Sequence, residues 1–290
     1  MTPETAVVQA LNGISFGALL FILAAGLSLI FGMMDVVNLA HGAFYMLGAY
    51  ITLTVVQRTG QFWLALVLAP LLIGALGLVI EPLLLRGLRG RHLDQVLLTI
   101  GVSLVIADLI GLTWGREIRS IPFPSGLDHA VTIMGGDYPV YRLFVIAFGA
   151  ALAAILAVVH RRTRVGALIR AGVDDAPMHA ALGVDIDRLF ARTFAVGAAL
   201  AGLAGVVAAP VFGIYPGMDV EYLIYSLIVV VVGGLGTLSG AVAGSALIGP
   251  ADTFGKVLVP QFALALIFAI MALVLLLRPT GLLGRIRIAR

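Results

Sequence analysis

The 290-residue sequence is 61% hydrophobic and only 11% charged, with a formal net charge of +3 and a mean hydropathy of +1.12. Soluble domains carry about 25% charged residues, so a water-facing globular surface is excluded, and the pI near 9.5 reads as membrane topology rather than nucleic-acid binding. Cysteine is absent, which excludes disulfides and cysteine-ligated metals and leaves the compartment open.

Apolar runs of roughly 18 residues or more, enough to cross a bilayer, recur along the whole chain. The first, about residues 7–31, has no preceding Lys or Arg and no small-residue cleavage site, and reads as a retained span rather than a signal peptide. It is followed by "MMDVVNLAHGAFYMLGAY" (33–50), where Asp35, Asn38 and His41 interrupt the apolar pattern. Unpaired polar groups in hydrocarbon cost several kcal/mol, so these residues face the protein interior or a wet cavity. In one reading Asn38, His41 and Gly42 lie beside a translocation path and mark a helix break. In the other, Asp35 and Asn38 cap the next helix and His41 bonds to a neighbouring one.

Further spans are expected at about 37–57 and 62–85. Glu81 and Pro82 close the second of these, with Glu81 expected as a satisfied charge beside Arg86. The basic cluster "RGLRGRH" (86–92) follows, then a span at 94–114, with Asp108 near its outer end, read as one turn before Trp114 and as a satisfied charge at the interface. The turn-rich loop 115–140 leads to a span at 141–160.

The segment "HRRTRVGALIRAGVDDAPMHAALGVDIDR" (160–188) is the longest polar stretch on its side. Ala167, Ile169 and Ala171 precede Gly172, and Ala176, Ala180 and Ala181 run up to Gly183. That pattern suits one or two short helices across the membrane surface, the second ended by Gly183. Ordinary connectors need only a few residues, so an ordered element here suits the grip of a partner protein.

After a span at 189–212 comes a broken segment at 222–251, and a last span at 258–278. Lys- and Arg-rich short loops stay cytoplasmic. The clusters at 86–92, 160–170 and 278–290 fall on one side if the N-terminus is outside and "SLIVVVVGGLGTLSGAVAGSALIG" (226–249) re-enters on its own side as two half-helices around Gly233–Gly236. Backbone groups freed at Gly233, Gly234 and Gly236, beside Thr237 and Ser239, would suit the polar end of a small substrate. The two breaks in corresponding positions suggest an inverted repeat. Small residues at spacing four, Gly13/Gly17, Gly197/Ala201/Gly205 and Gly240/Gly244, suit close helix packing.

The fold class is therefore all-α: a polytopic membrane protein with about seven full transmembrane helices plus a broken or re-entrant segment, in a single domain over residues 1–290. Chemistry has no visible seat. The one lysine, Lys256, follows "GPADTFG", which does not make a phosphate-binding loop, and neither an H-E-x-x-H pair nor a G-x-S-x-G turn occurs. No catalytic residue, metal site or cofactor is expected on this chain, and ATP, if used, is hydrolysed elsewhere.

Four separated stretches, "NGISFGALLFILAAGLSLIFGMMDVVNLAHGAFYMLGAY" (12–50), "RAGVDDAPMHAALGVDIDRLFARTFAVGAALAGLAGV" (170–206), "VVVVGGLGTLSG" (229–240) and "RPTGLLG" (278–284), resemble, in order, the smaller permease subunit of bacterial branched-chain amino acid ABC importers. The resemblance implies a multi-pass inner-membrane permease with a periplasmic N-terminus and a cytoplasmic C-terminus. It implies a second, related permease, two cytoplasmic ATPase subunits that bind ATP, and a periplasmic binding protein that delivers Leu, Ile or Val. It also implies a cytoplasmic coupling segment at about 161–188, with Gly166, Arg170, Ala171, Asp175, Ala180 and Gly183 at matching positions; Pro177 and Gly172 depart from the pattern. Importers of urea, short amides or simple sugars share this plan, and an ion-coupled secondary transporter is the reading from another class.

Overall fold

The computed structural model describes residues 3–35, 37–133, 135–164, 166–169, 178 and 183–284. Helices dominate: α1 Pro3–Met34, α2 His41–Thr59, α3 Phe62–Ile80, α4 His92–Trp114, α5 Val140–Arg162, α6 Ile186–Phe212, α7 Met218–Gly233, α8 Leu238–Leu258 and α9 Ala263–Leu277. A π-helical turn, Glu81–Leu85, and a 3₁₀ turn, Arg86–Leu88, prolong α3. An antiparallel hairpin, β1 Ala130–Ile133 with β2 Gly136–Pro139, closes the loop before α5.

Six helical stretches among the described residues are long and apolar enough to cross a membrane, and the chain is a multi-pass membrane protein. Apart from these, α7 and α8 form a pair bent by 114° at a short break. The span expected at 37–57 is present as α2 but begins only at His41 and is 19 residues long. Its tyrosines, threonines and terminal Gln57–Arg58 make it less apolar than the other spans, and protein rather than lipid covers most of it. The broken segment is also longer than the expected 222–251. It runs from Met218 to Leu258, and its second limb is a 21-residue helix rather than a half-helix.

Burial ranks the helices. The most apolar stretch of α1 is 78% buried and that of α6 is 72% buried, against 22%, 17%, 11% and 11% for the stretches containing α3, α4, α5 and α9. The centre is therefore α1 and α6, with α2, α7 and α8 packed on them. Glycine permits this closeness. A Cβ on Gly26 would stand 2.5 Å from the Gly197 carbonyl, one on Gly13 2.7 Å from Pro250 Cα, and one on Gly17 2.8 Å from the Ser245 carbonyl.

The contacts sort the connections onto two faces. The end of α3 meets the start of α6 through Arg86 and Arg89 to Asp187, and Gly32 near the end of α1 meets Gly236. On the opposite face, Gly135 of the hairpin lies against Glu4, and Arg119 and Ile214 exchange backbone hydrogen bonds at 2.8 and 2.7 Å. The basic clusters that lie within the described residues belong to the first face. Both tryptophans mark the opposite end: Trp63 opens α3 and Trp114 closes α4, where an aromatic belt is found in membrane proteins.

Candidate functional site

The first break lies between α1 and α2. Asp35, with φ 53°, is the one described non-glycine residue in the left-handed region, and it turns the chain out of α1. Asn38 is 1% exposed, and its Oδ1 accepts the Ala40 N–H at 3.1 Å while its carbonyl accepts the His41 N–H at 3.2 Å. The helix cap itself is Ala40, without a side-chain bond, so neither Asp35 nor Asn38 caps α2. Asn38 instead folds a tight turn just before it, because its short amide reaches the backbone two residues on. The Leu39 N–H is taken by Thr99 Oγ1 of α4 at 3.2 Å.

His41 is fully buried, with Nε2 2.9 Å from the Leu23 carbonyl of α1. A carbonyl only accepts, so Nε2 carries the proton. The bond to a neighbouring helix expected from the sequence is present. Gly42 admits the Asp219 carbonyl of α7, which a Cβ would strike. Asn38 Nδ2, His41 Nδ1 and Gln95 Oε1 are buried without a hydrogen-bond partner among the described residues.

The second break lies between α7 and α8. Gly234 has φ 115° and Gly236 φ 71°, conformations that cost a side chain dearly. Gly233 packs its backbone on Gly240. Thr237 is the N-cap of α8, its Oγ1 accepting the Gly240 N–H at 3.1 Å and donating to the Gly234 carbonyl at 2.9 Å. Ser239 is exposed and Leu235 projects from the tip, 46% exposed. The Gly233 carbonyl, which the sequence suggested would be free, is occupied, as is the Val232 carbonyl before it. Leu282 N–H bonds Val232 O and Leu283 N–H bonds Gly233 O, each at 2.8 Å. The donors belong to the segment after α9, which the sequence shows as the start of the basic tail and as part of the family resemblance.

The structure brings the two breaks together. Gly236 sits on Gly32, and Ser28 Oγ lies 3.5 Å from the Thr237 carbonyl. Val37 of the first break and Leu235 of the second line one small apolar gap with Leu27, Phe31, Leu227 and Val230. The larger cleft, about 220 Å³ and almost wholly apolar, lies elsewhere, between α1, α5 and α8 beside Gly17, Gly149 and Ser245.

Of the residues matched to a coupling segment, Arg170, Ala171, Asp175 and Ala180 lie outside the described residues. Gly166 lies in a helical turn just past α5, its N–H 3.2 Å from Thr163 Oγ1. Gly183 adopts φ 85° three residues before α6. There Asp185 caps the helix through the Arg188 N–H at 3.0 Å. Asp187 pairs with both Arg86 and Arg89, and Arg89 also pairs with Glu81, whose side chain is 1% exposed. The Arg89 guanidinium lies 4.4 Å from the centre of the Phe190 ring. The partner of Glu81 is thus Arg89 rather than the expected Arg86, because the π turn and the following 3₁₀ turn carry Arg89 back over the helix end.

On the opposite face, Asp252, 2% exposed, accepts from Tyr225 Oη at 2.9 Å and pairs with Lys256 at 2.7 Å. Lys256 also lies 5.5 Å from the centre of the Phe16 ring. In the loop before α7, Tyr215 donates to Glu221 at 2.6 Å; burial first, then that bond and the Glu221 charge, push the pKa of the phenol above its ordinary value and keep it neutral. The i, i+4 spacing of Asp252 and Lys256 was a readable signal for this network; the third member, Tyr225, was not.

No group of three His, Cys, Asp or Glu suited to a metal occurs among the described residues. The sequence profile of the family described as "Branched-chain amino acid transport system / permease component" matches residues 9–275. The high-affinity branched-chain amino acid transport system permease protein BraD of Pseudomonas aeruginosa is 31% identical, over 96% of this chain and 95% of that protein. Two permease proteins of the system of the same name in Escherichia coli K12 also match. LivH is 29% identical over 96% of this chain and 95% of its own length. LivM is 27% identical over 92% of this chain and 68% of its own length. No solved structure gives a significant match.

Proposed function

The chain belongs to the branched-chain amino acid transport system permease family, and we propose that it is the membrane subunit through which an ATP-driven importer moves leucine, isoleucine and valine. Its partner in the membrane is a second, related permease. LivH and LivM, two permeases of one named system, both resemble this chain over most of its length, which supports a pair of homologous subunits. Two ATPase subunits grip the segment at about 161–188 from the cytoplasm, and a binding protein docks at the hairpin face in the periplasm. The basic clusters face the cytoplasm, the N-terminus the periplasm, and the membrane is the bacterial inner membrane.

The observation that carries this reading is the apposition of two interrupted elements inside one bundle. Asn38, His41 and Gly42 at one break, and Gly233, Gly234, Gly236, Thr237 and Ser239 at the other, join helices that meet at Gly32 and Gly236. Broken helices give a membrane protein places where rigid limbs tilt without exposing free backbone to lipid. ATP closure of the two ATPases, passed through the 161–188 segment and the Asp187–Arg89–Glu81 contact, shifts the population between inward-open and outward-open arrangements.

The test is uptake of labelled leucine by cells lacking the gene, complemented with wild-type or Gly183→Pro protein at equal membrane level. Saturable uptake restored by wild type and lost in the variant supports both substrate and coupling. Equal activity in the two removes the coupling role of this segment. Failure of wild type to restore leucine uptake removes the amino acid assignment and turns the search to urea, amides and sugars.

A further inference from the structure

Helix α4 is one of the least buried helices, and its outward side carries a stripe of Leu97, Ile100, Leu104, Asp108 and Leu112, one step of three residues followed by steps of four. Its inward side carries Gln95, Thr99, Ile106 and Ile110. On the outward stripe, Leu97 is 59%, Leu104 62% and Leu112 83% exposed. Gly101 lies in the same stripe with nothing within 4 Å of where its Cβ would stand.

Asp108 breaks the stripe. It is exposed and forms no hydrogen bond or ion pair with any described residue. It stands six residues before Trp114, about 9 Å along the helix axis at 1.5 Å per residue. Trp114 is held at the helix end by its Nε1 bond to Thr54 at 2.8 Å, and tryptophans of this kind sit at the membrane–water boundary. A carboxylate on so short a side chain does not reach water from that depth. Ionisable groups within spans face protein or a wet cavity and have partners. On the outward faces of α3, α5 and α9, the described residues more than one turn from the helix ends carry no ionisable side chain. Lipid suits those faces and does not suit this one.

We propose that the Asp108 stripe of α4 is the surface that packs against the second permease subunit, and that the subunit there presents a cation or hydrogen-bond donor to Asp108. This rests on the reading of the chain as one of two permeases. The geometry selects a different chain over a second copy of this one. Two copies related by an axis along the membrane normal carry Asp108 at equal depth, so meeting through this stripe would oppose like charges. Gly101 gives the partner helix its closest approach, as small residues do in membrane interfaces. The polar residues of the two breaks are largely packed inside the chain, whereas Asp108 faces outward.

The chain has no cysteine, so a single introduced thiol is unique within it. Leu104→Cys, Leu71→Cys on α3 and Leu273→Cys on α9 would each be labelled with a benzophenone in membranes holding the whole complex, then irradiated. The expected product is an adduct of the Leu104→Cys chain with a second permease of the same family, identified by mass spectrometry, and lipid adducts alone from the other two. Asp108→Arg should lower recovery of the second permease with this chain about ten-fold, and Asp108→Asn far less. An adduct between two copies of this chain, or lipid adducts alone from Leu104→Cys, overturns the assignment of this surface even where the second permease still co-purifies. If no second permease co-purifies with the wild-type chain, the functional reading fails together with it.

Discussion

Leu283 donates its backbone N–H to the carbonyl of Gly233 at 2.8 Å, so the segment following the last helix closes the end of α7. The same segment seats Gly281 and Gly284 against Gly234. The glycine break is therefore held from outside by a strand of chain that leads straight into the cytoplasmic tail of the proposed topology.

Removing that donor tests the link. Leu283→Pro deletes the N–H and leaves the Gly233 carbonyl unpaired, at a cost of about 1–3 kcal/mol. Leu283→Ala keeps the N–H and trims a side chain that is 49% exposed. Thermal unfolding in detergent should fall clearly for the proline variant and little for alanine. Equal losses would mean that the side chain, not the hydrogen bond, holds the tail.

Glu81 and Arg89 form an ion pair at the π turn, with side chains 1% and 23% exposed. Removing one partner of a buried pair leaves an uncompensated charge, worth about 3–5 kcal/mol when burial is complete. Because Arg89 keeps some water, Arg89→Met should sit near the lower end of that range. The double variant Glu81→Met/Arg89→Met should recover most of the loss. A double variant as unstable as the sum of the singles would refute the pairing as the cause.

His41 separates a structural from a transport role. His41→Ala removes the bond to Leu23 and opens a cavity, a change of about 2–5 kcal/mol for a side chain of this size. His41→Gln keeps a donor in reach of the carbonyl and should retain more than half of that stability. Leucine uptake and thermal stability would be measured on the same variants. If uptake follows stability across both, His41 acts by packing; if the glutamine variant is stable and transports nothing, it acts in the path.

Much of the architecture was legible because the bilayer acts on local properties. Span length follows from a rise of 1.5 Å per residue, and an apolar run must be helical because lipid offers its backbone no partner. Hence 62–85, 94–114, 141–160 and 189–212 correspond to helices α3 with its π turn, α4, α5 and α6. The glycine cluster at 233–236 marked the bend because positive φ is a property of single residues. Boundaries failed where a polar side chain altered the local turn. Asn38 reads as part of a helix by spacing, yet its amide bonds the Ala40 N–H and delays α2 to His41.

What the sequence by itself determined is the class of protein, the count and approximate limits of most spans, the two breaks and the sorting of loops into a basic and an opposite side. What only the tertiary structure decided is which helices lie at the centre, which charge Glu81 meets, what seats the glycine break and which way Asp108 points. The physical reason is that a membrane helix is apolar on nearly every side, so periodicity does not say which side faces protein. Those facts arise from contacts between residues far apart in the chain, such as Asp187 with Arg89 and Leu283 with Gly233, and packing alone brings such residues together.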